Sequence, residues 1–228
     1  MARHKLMATL ARWHIWLGWL VGVPILLWTV SGLVMVARPI EQVRGEDLRR
    51  ALPPLAEGAI TLPQVGEPIR EARLVQQVQG PVWIVTTAKG ATYRYSARNG
   101  ALYPPLVAGE ARTVATGTYA GPGKLLGVTY LDASAAPLEL RANRATWQAR
   151  FSDGTNLYLD DATGEVLALR TPGWRLYDFM WGLHIMDLQT REDSSHPVLI
   201  LFATLSALGA LIGCLLLFRR RKARVRAQ

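Results

Sequence analysis

Trp147-Gln-Ala-Arg-Phe-Ser-Asp-Gly154, continued by Leu157-Tyr-Leu159, Asp161-Ala-Thr-Gly164 and the run Glu165 to Leu169, is the stretch whose reading decides the fold. Trp147, Ala149 and Phe151 alternate, as one buried face of a strand does. Ser152-Asp153-Gly154 supplies a turn tolerant of positive φ, and Leu157 and Leu159 resume the alternation on a return strand. Asp161 to Gly164 turns the chain again into a third strand over Glu165 to Leu169. The expected unit is a three-stranded antiparallel meander.

The same pattern stands 64 residues earlier, as Trp83-Ile-Val-Thr-Thr-Ala-Lys-Gly90, Tyr93-Arg-Tyr95 and Asn99-Gly100. In both copies seven residues separate the Trp from the first Gly, and ten separate the two glycines. Three matched anchors make a duplication, with repeats at about 62–105 and 125–170, inside a folded region of 37–173. Apolar Leu62, Val65 and Ile69 predict a helix over Leu62 to Arg73 that covers the first sheet. A short helix is expected from Glu46 to Leu52, within a Pro-rich, charged segment. The fold class is α+β, with a duplicated antiparallel-sheet domain.

Outward from the repeats the chain turns apolar. Trp13 to Val36 and Pro197 to Phe218 contain no Asp, Glu, Lys or Arg. At about 1.5 Å per residue, each spans roughly 33–36 Å, enough to cross a hydrocarbon core of about 30 Å. The net charge of +9 sits beside these runs: Arg3, Lys5 and Arg12 before the first, and six basic residues in 219–228 after the second. The other 17 basic residues balance the 17 acidic ones, which leaves no surface for nucleic acid. Basic ends flanking both runs predict two transmembrane helices, 13–36 and 197–218, with basic tails 1–12 and 219–228 inside and the folded domain outside. A cleavable signal is the rival reading of the first run, but that run is about twice the usual 7–15 residue core and carries four tryptophans. The lone cysteine, Cys214, lies in the second run, so no intramolecular disulfide forms.

Trp-x-x-x-Phe-x-Asp-Gly followed by Leu-Tyr-Leu-Asp-Asp-Ala-Thr-Gly-Glu-Val-Leu resembles the PepSY module, found outside bacterial membranes. Arg12-Trp-His14-Ile-Trp-Leu-Gly18 with Thr29-Val-Ser-Gly32 is similar to the first helix of PepSY-associated transmembrane proteins, and Gly182-Leu-His184 with the final helix to their last part. The resemblance implies an inner-membrane protein with a periplasmic central domain. Members with more helices are associated with haem b and with reduction of ferric siderophores. It therefore implies haem binding and transmembrane electron transfer, as an oxidoreductase of ferric-reductase type that needs a partner or an oligomer.

The candidate haem ligands are His14, His184 and His196, all near a membrane boundary; the fourth histidine is His4. His14, Gly18 and Gly22, spaced i, i+4, i+8, share a helix face on which a flat macrocycle or a second helix can approach closely. The rival reading of His14 is a histidine at the lipid interface beside a helix-packing Gly-x-x-x-Gly. His184 falls in an expected interfacial amphipathic helix at 174–190, on a stripe with Trp174, Tyr177, Trp181 and Leu188. His196 opens the last helix after a Ser194-Ser195 cap, with Pro197 in the first turn. His14 and His196 stand a helix length apart and cannot share one iron; His184 with His196, or two copies of His14, can. Gly209-x-x-x-Gly213 and the Gly18/Gly22 face are candidate homodimer contacts. No phosphate loop, zinc pattern or assembled triad is present in the sequence, so no catalytic residue is assigned. The alternative function is a non-enzymatic PepSY module, anchored in lipid, that binds or regulates a periplasmic protein or serves as an accessory subunit of a larger membrane complex.

Overall fold

The structure, a computed structural model, describes residues 2–55, 58 and 60–225. Among the charges discussed above, the side chains of Arg3 and of residues 219–228 lie outside the described residues. The element order is α1 (Ala2–Val36), α2 (Ile40–Arg44), β1 (Ile69–Gln77), β2 (Gly80–Thr87), β3 (Thr92–Ser96), α3 (Ala108–Thr118), β4 (Leu125–Leu131), β5 (Thr146–Phe151), β6 (Asn156–Asp160), β7 (Val166–Arg170), α4 (Pro172–His184) and α5 (Pro197–Val225). The chain divides into two compact units, residues 39–175 and residues 1–38 with 176–228.

The first of these units is α+β and duplicated. Sheet one has the order β1-β2-β3 and sheet two β4-β5-β6-β7, all antiparallel. The repeat reaches down to single hydrogen bonds. Gly90 and Gly154 take φ of 87° and 81°, and each N–H closes a turn on the carbonyl three residues back, Thr87 and Phe151. Gly100 and Gly164, at 74° and 70°, donate to the carbonyls four residues back, Ser96 and Asp160. The side chains of Ser96 and Asp160 then accept the N–H groups two and three residues onward. A positive φ at four matched positions is why glycine recurs there.

The copies part company at their edges. Leu159 pairs with Val166 to begin β7, and the matching pair Tyr95 and Leu102 forms only an isolated bridge. Pro104 and Pro105 follow that bridge and have no N–H to extend a ladder. The second copy also gains a strand ahead of the meander, β4, so it has four strands where three were expected. β1 holds the matching place in the first copy, since Leu74 faces Trp83 as Tyr130 faces Trp147.

The helix expected over Leu62 to Arg73 is not formed. Ile69 begins β1 and pairs with Thr87. Pro63, Gly66 and Pro68 interrupt the helical spacing, and a residue before proline favours extended backbone. The helix expected from Glu46 to Leu52 is likewise shortened to a single 3-10 turn, Glu46–Leu48. The helix that covers a sheet is α3, and it covers the second. It buries Ala111, Val114, Ala115 and Thr118, a helical i, i+3, i+4, i+7 stripe, against Ala149, Phe151, Leu157 and Leu159.

In the other unit α1 and α5 pack together, antiparallel, since His14 meets Gly213 and Leu17 meets Gly209. Neither helix has a polar face: Trp16 and Trp19 are 76% and 82% exposed, and Leu217 is 69% exposed. Lys5–Val36 and Pro197–Phe218 are long and apolar enough to cross a membrane. An apolar surface on all sides is stable in lipid rather than in water.

Candidate functional site

The unit built from α1, α4 and α5 holds the three histidine candidates. His14 leaves α1 toward α5, where its Nδ1 donates to the Gly209 carbonyl at 3.0 Å. Only a ring N–H can donate to a carbonyl, so this bond places a proton on Nδ1, while Nε2 makes no hydrogen bond among the described residues. The ring lies on Gly213; a Cβ there would stand 2.9 Å from Cε1. Gly209 and Gly213, candidate dimer contacts, are thus occupied within the chain by Leu17 and His14. Gly18 and Gly22 do not take part in this packing: nothing lies within 4 Å of either Cβ position. They leave an open strip beside His14.

His184 repeats the arrangement at the other end of α1. Its Nδ1 lies 3.1 Å from Ser31 Oγ, whose hydroxyl donates to the Trp28 carbonyl at 3.0 Å. The serine proton being used, the imidazole Nδ1–H is the donor, and Nε2 makes no hydrogen bond among the described residues. The ring sits on Gly32, whose Cβ would come to 3.3 Å from Cε1, and beside the Trp28 ring at 5.5 Å between centroids. Trp28 Nε1 is buried without a hydrogen-bond partner.

Local sequence brings His184 there. α4 does not continue to Leu188; it stops at His184 in a Schellman turn, with Asp187 N–H bonded to the Gly182 carbonyl and Met186 N–H to that of Leu183. Met186 takes the left-handed φ of 57° that such a turn requires. Gly182 is needed because the return segment passes over it, with Asp187 O at 3.0 Å and Arg191 Cγ at 2.9 Å from a Cβ. Arg191 then binds Asp178 at 2.6 Å, and its carbonyl accepts the Trp181 indole N–H. The Asp187 carboxylate accepts from the Thr190 hydroxyl and from the N–H groups of Gln189, Thr190, Glu192 and Asp193. The Thr190 hydroxyl most of all, and these N–H groups against the opposing effect of burial, hold its carboxyl far below the usual range. Of the expected stripe, Trp174 is buried, Tyr177, Trp181 and His184 are half-buried and Leu188 is exposed, as are Leu176 and Phe179 on α4.

His196 immediately precedes α5, and its own carbonyl accepts the first helical bond, from Ile200. The residue before the helix is thus His196 itself, not the expected Ser194 or Ser195. Its Nδ1 is buried and has no partner. No hydrogen bond or ring contact joins it to His184 among the described residues. The antiparallel register still puts the two at one level. Ser31 lies 17 residues beyond His14 along α1, and His196 lies 17 before Gly213 along α5, so both are about 25 Å from His14. The histidines thus form two stations at opposite ends of the helix pair.

Sequence reasoning found the histidines and glycines but not Ser31 and Trp28 as their supports. The signal was the Thr29-Val-Ser-Gly32 motif, whose small residues offer a seat for a ring. The family model described as the PepSY-associated TM region matches residues 11–228. The chain belongs to this PepSY-associated family. No protein of curated function and no solved structure matches it. Membership makes it a membrane-associated PepSY protein.

Proposed function

We propose that this PepSY-associated protein binds haem b through His14 at one station and His184, with His196 at its level, at the other, and passes electrons across the membrane. The observation that carries the proposal is the shared form of the two stations. Each presents an imidazole whose Nδ1 is tied to a helix atom and whose Nε2 makes no hydrogen bond among the described residues, on a glycine that lets the ring lie close. An imidazole held in this way keeps one tautomer and one orientation, which is what metal ligation asks of it. Haem iron between such ligands supplies a one-electron couple. The Gly18 and Gly22 strip leaves room beside His14 for a flat macrocycle or for a second copy of the chain. The separation of about 25 Å suits stations near the two faces of a core about 30 Å thick.

The basic tails argue for both termini in the cytoplasm and the PepSY unit in the periplasm of a bacterial inner membrane. Electrons come from a partner subunit and the terminal acceptor is a ferric chelate at the outer face. The test is the visible spectrum of the detergent-purified protein. A Soret band is expected, reduced to about half by His14→Ala and by His184→Ala separately, and shifted rather than lost by Ser31→Ala, which frees Nδ1. A colourless protein from haem-replete cells that gains no band on adding haemin would overturn the proposal. The anchored module that binds a periplasmic protein, or an accessory subunit, would then remain.

A further inference from the structure

The folded unit holds a second feature, unconnected with the histidines. Arg94, on β3, is only 2% exposed, yet its guanidinium is half used. Nη1 binds Glu110 of α3 at 2.8 Å, and the group lies 4.9 Å above the Tyr103 ring. Nε and Nη2 are buried and have no hydrogen-bond partner. These two nitrogens form the edge of a guanidinium that presents parallel N–H groups, the fork that matches the two oxygens of a carboxylate. Arg94 lines a hollow together with Gln77, Gln79, Ser96, Arg98 and Tyr103. Gln77 is fixed by its bond to the Thr163 carbonyl at 2.7 Å, and the Arg98 guanidinium lies over Gly80 at the rim.

The duplicate copy shows how the equivalent place is filled when the chain fills it itself. Tyr158 stands 64 residues after Arg94, at the same ladder position, and is fully buried. It is met by a carboxylate: Glu139 accepts from Tyr158 Oη at 2.6 Å, Asn156 Nδ2 at 2.7 Å and Arg175 Nε at 2.6 Å. Glu139 comes from the long β4–β5 connection, residues 132–145, which folds over that face of the sheet. The matching β1–β2 connection is only Val78 and Gln79, of which Gln79 lines the Arg94 hollow and Val78 packs against the core. In the first copy the chain's own carboxylate, Glu110, reaches only Nη1, and the Nε–Nη2 edge of Arg94 is left without one.

We infer that the Arg94 hollow is a binding site for a carboxylate brought by another molecule, held bidentately by Arg94 Nε and Nη2 and steered in by Arg98. The site takes one carboxylate group, whether from a peptide C-terminus, an acidic side chain or a small organic acid. Full-length protein in detergent is titrated by calorimetry with N-acetyl-trialanine, its C-terminal amide, an amidated tripeptide bearing one aspartate, and sodium acetate. The free acids that fit bind and the amide does not; which acid binds best identifies the source. Arg94→Lys keeps the charge but loses the fork, and weakens binding about tenfold or more; Arg98→Met weakens it a few-fold. The Arg94 Nε–H resonance of the wild type, which needs no variant to fold, shifts on adding the acid. Equal binding of acid and amide, unchanged affinity in a folded Arg94→Lys protein, or no shift of that resonance with any carboxylate would overturn the site.

Discussion

The two copies of the PepSY-type module share their turns, their glycines and their ladder, and differ in what covers the sheet. The second copy is closed. α3 lies on one face, and Glu139 pins the other through Tyr158, Asn156 and Arg175. The first copy has a three-stranded sheet, a two-residue connection and a buried cation with a free edge. Duplication has kept the hydrogen-bond frame and let one copy specialise in stability, leaving the other an open polar pocket.

The largest expected effect that tests this contrast is the removal of the closing carboxylate. Glu139→Ala leaves Arg175 and Tyr158 without their acceptor and lowers the stability of the folded unit by about 3 kcal/mol, read as a fall in thermal midpoint. The corresponding change in the open copy, Arg94→Met with Glu110→Gln, removes a buried pair already half unsatisfied and changes stability by less than about 1 kcal/mol in either direction. If the two changes cost the same, the division of labour between the copies is wrong.

The matched glycines give a finer comparison. Gly164→Ala adds positive-φ strain to a clash, since its Cβ would stand 2.9 Å from Arg94 Nη1 and 3.2 Å from Leu106. Gly90→Ala pays only for its φ, because nothing lies within 4 Å. Losses of roughly 2–3 and 1 kcal/mol respectively are expected in thermal melts. A reversed order would show that the turn at Gly164 does not pack on the first copy as described.

The smallest effect is a pH dependence. Burial pushes the Glu139 carboxyl upward, but the hydrogen bonds from Arg175, Tyr158 and Asn156 outweigh it and hold its pKa below the usual value. A depressed folded pKa gives stability that is present above the unfolded value of about 4.3 and is lost as pH falls through the folded one. Melts between about pH 5 and pH 3 should therefore fall more steeply for the wild type than for Glu139→Gln. Parallel slopes would remove Glu139 from the acid-sensitive groups.

Much of this architecture was legible in the chain. The 64-residue repeat was visible because a strand alternates every second residue and because glycine alone is at ease at positive φ. The candidate membrane helices were visible because runs of some twenty residues without a charge are long and apolar enough to cross a lipid core. The helix over Leu62 to Arg73 was misread because three apolar residues at helical spacing outweighed two prolines, and α3 was passed over because alanine, valine and threonine form its buried stripe. His14, His184 and His196 could be named from sequence, but not their supports, since a hydrogen bond to Ser31 or to the Gly209 carbonyl joins positions 153 or 195 residues apart.

The sequence by itself determined the elements whose cause is local: alternation, turn glycines, and lipid-length apolar runs with basic ends. Only the tertiary structure decided what Nδ1 of His14 and of His184 meets, which glycines face a ring and which face open space, and that Arg94 lies buried with its fork unfilled. Those are properties of groups brought together from distant parts of the chain, and no local pattern encodes whether a polar atom finds its partner there.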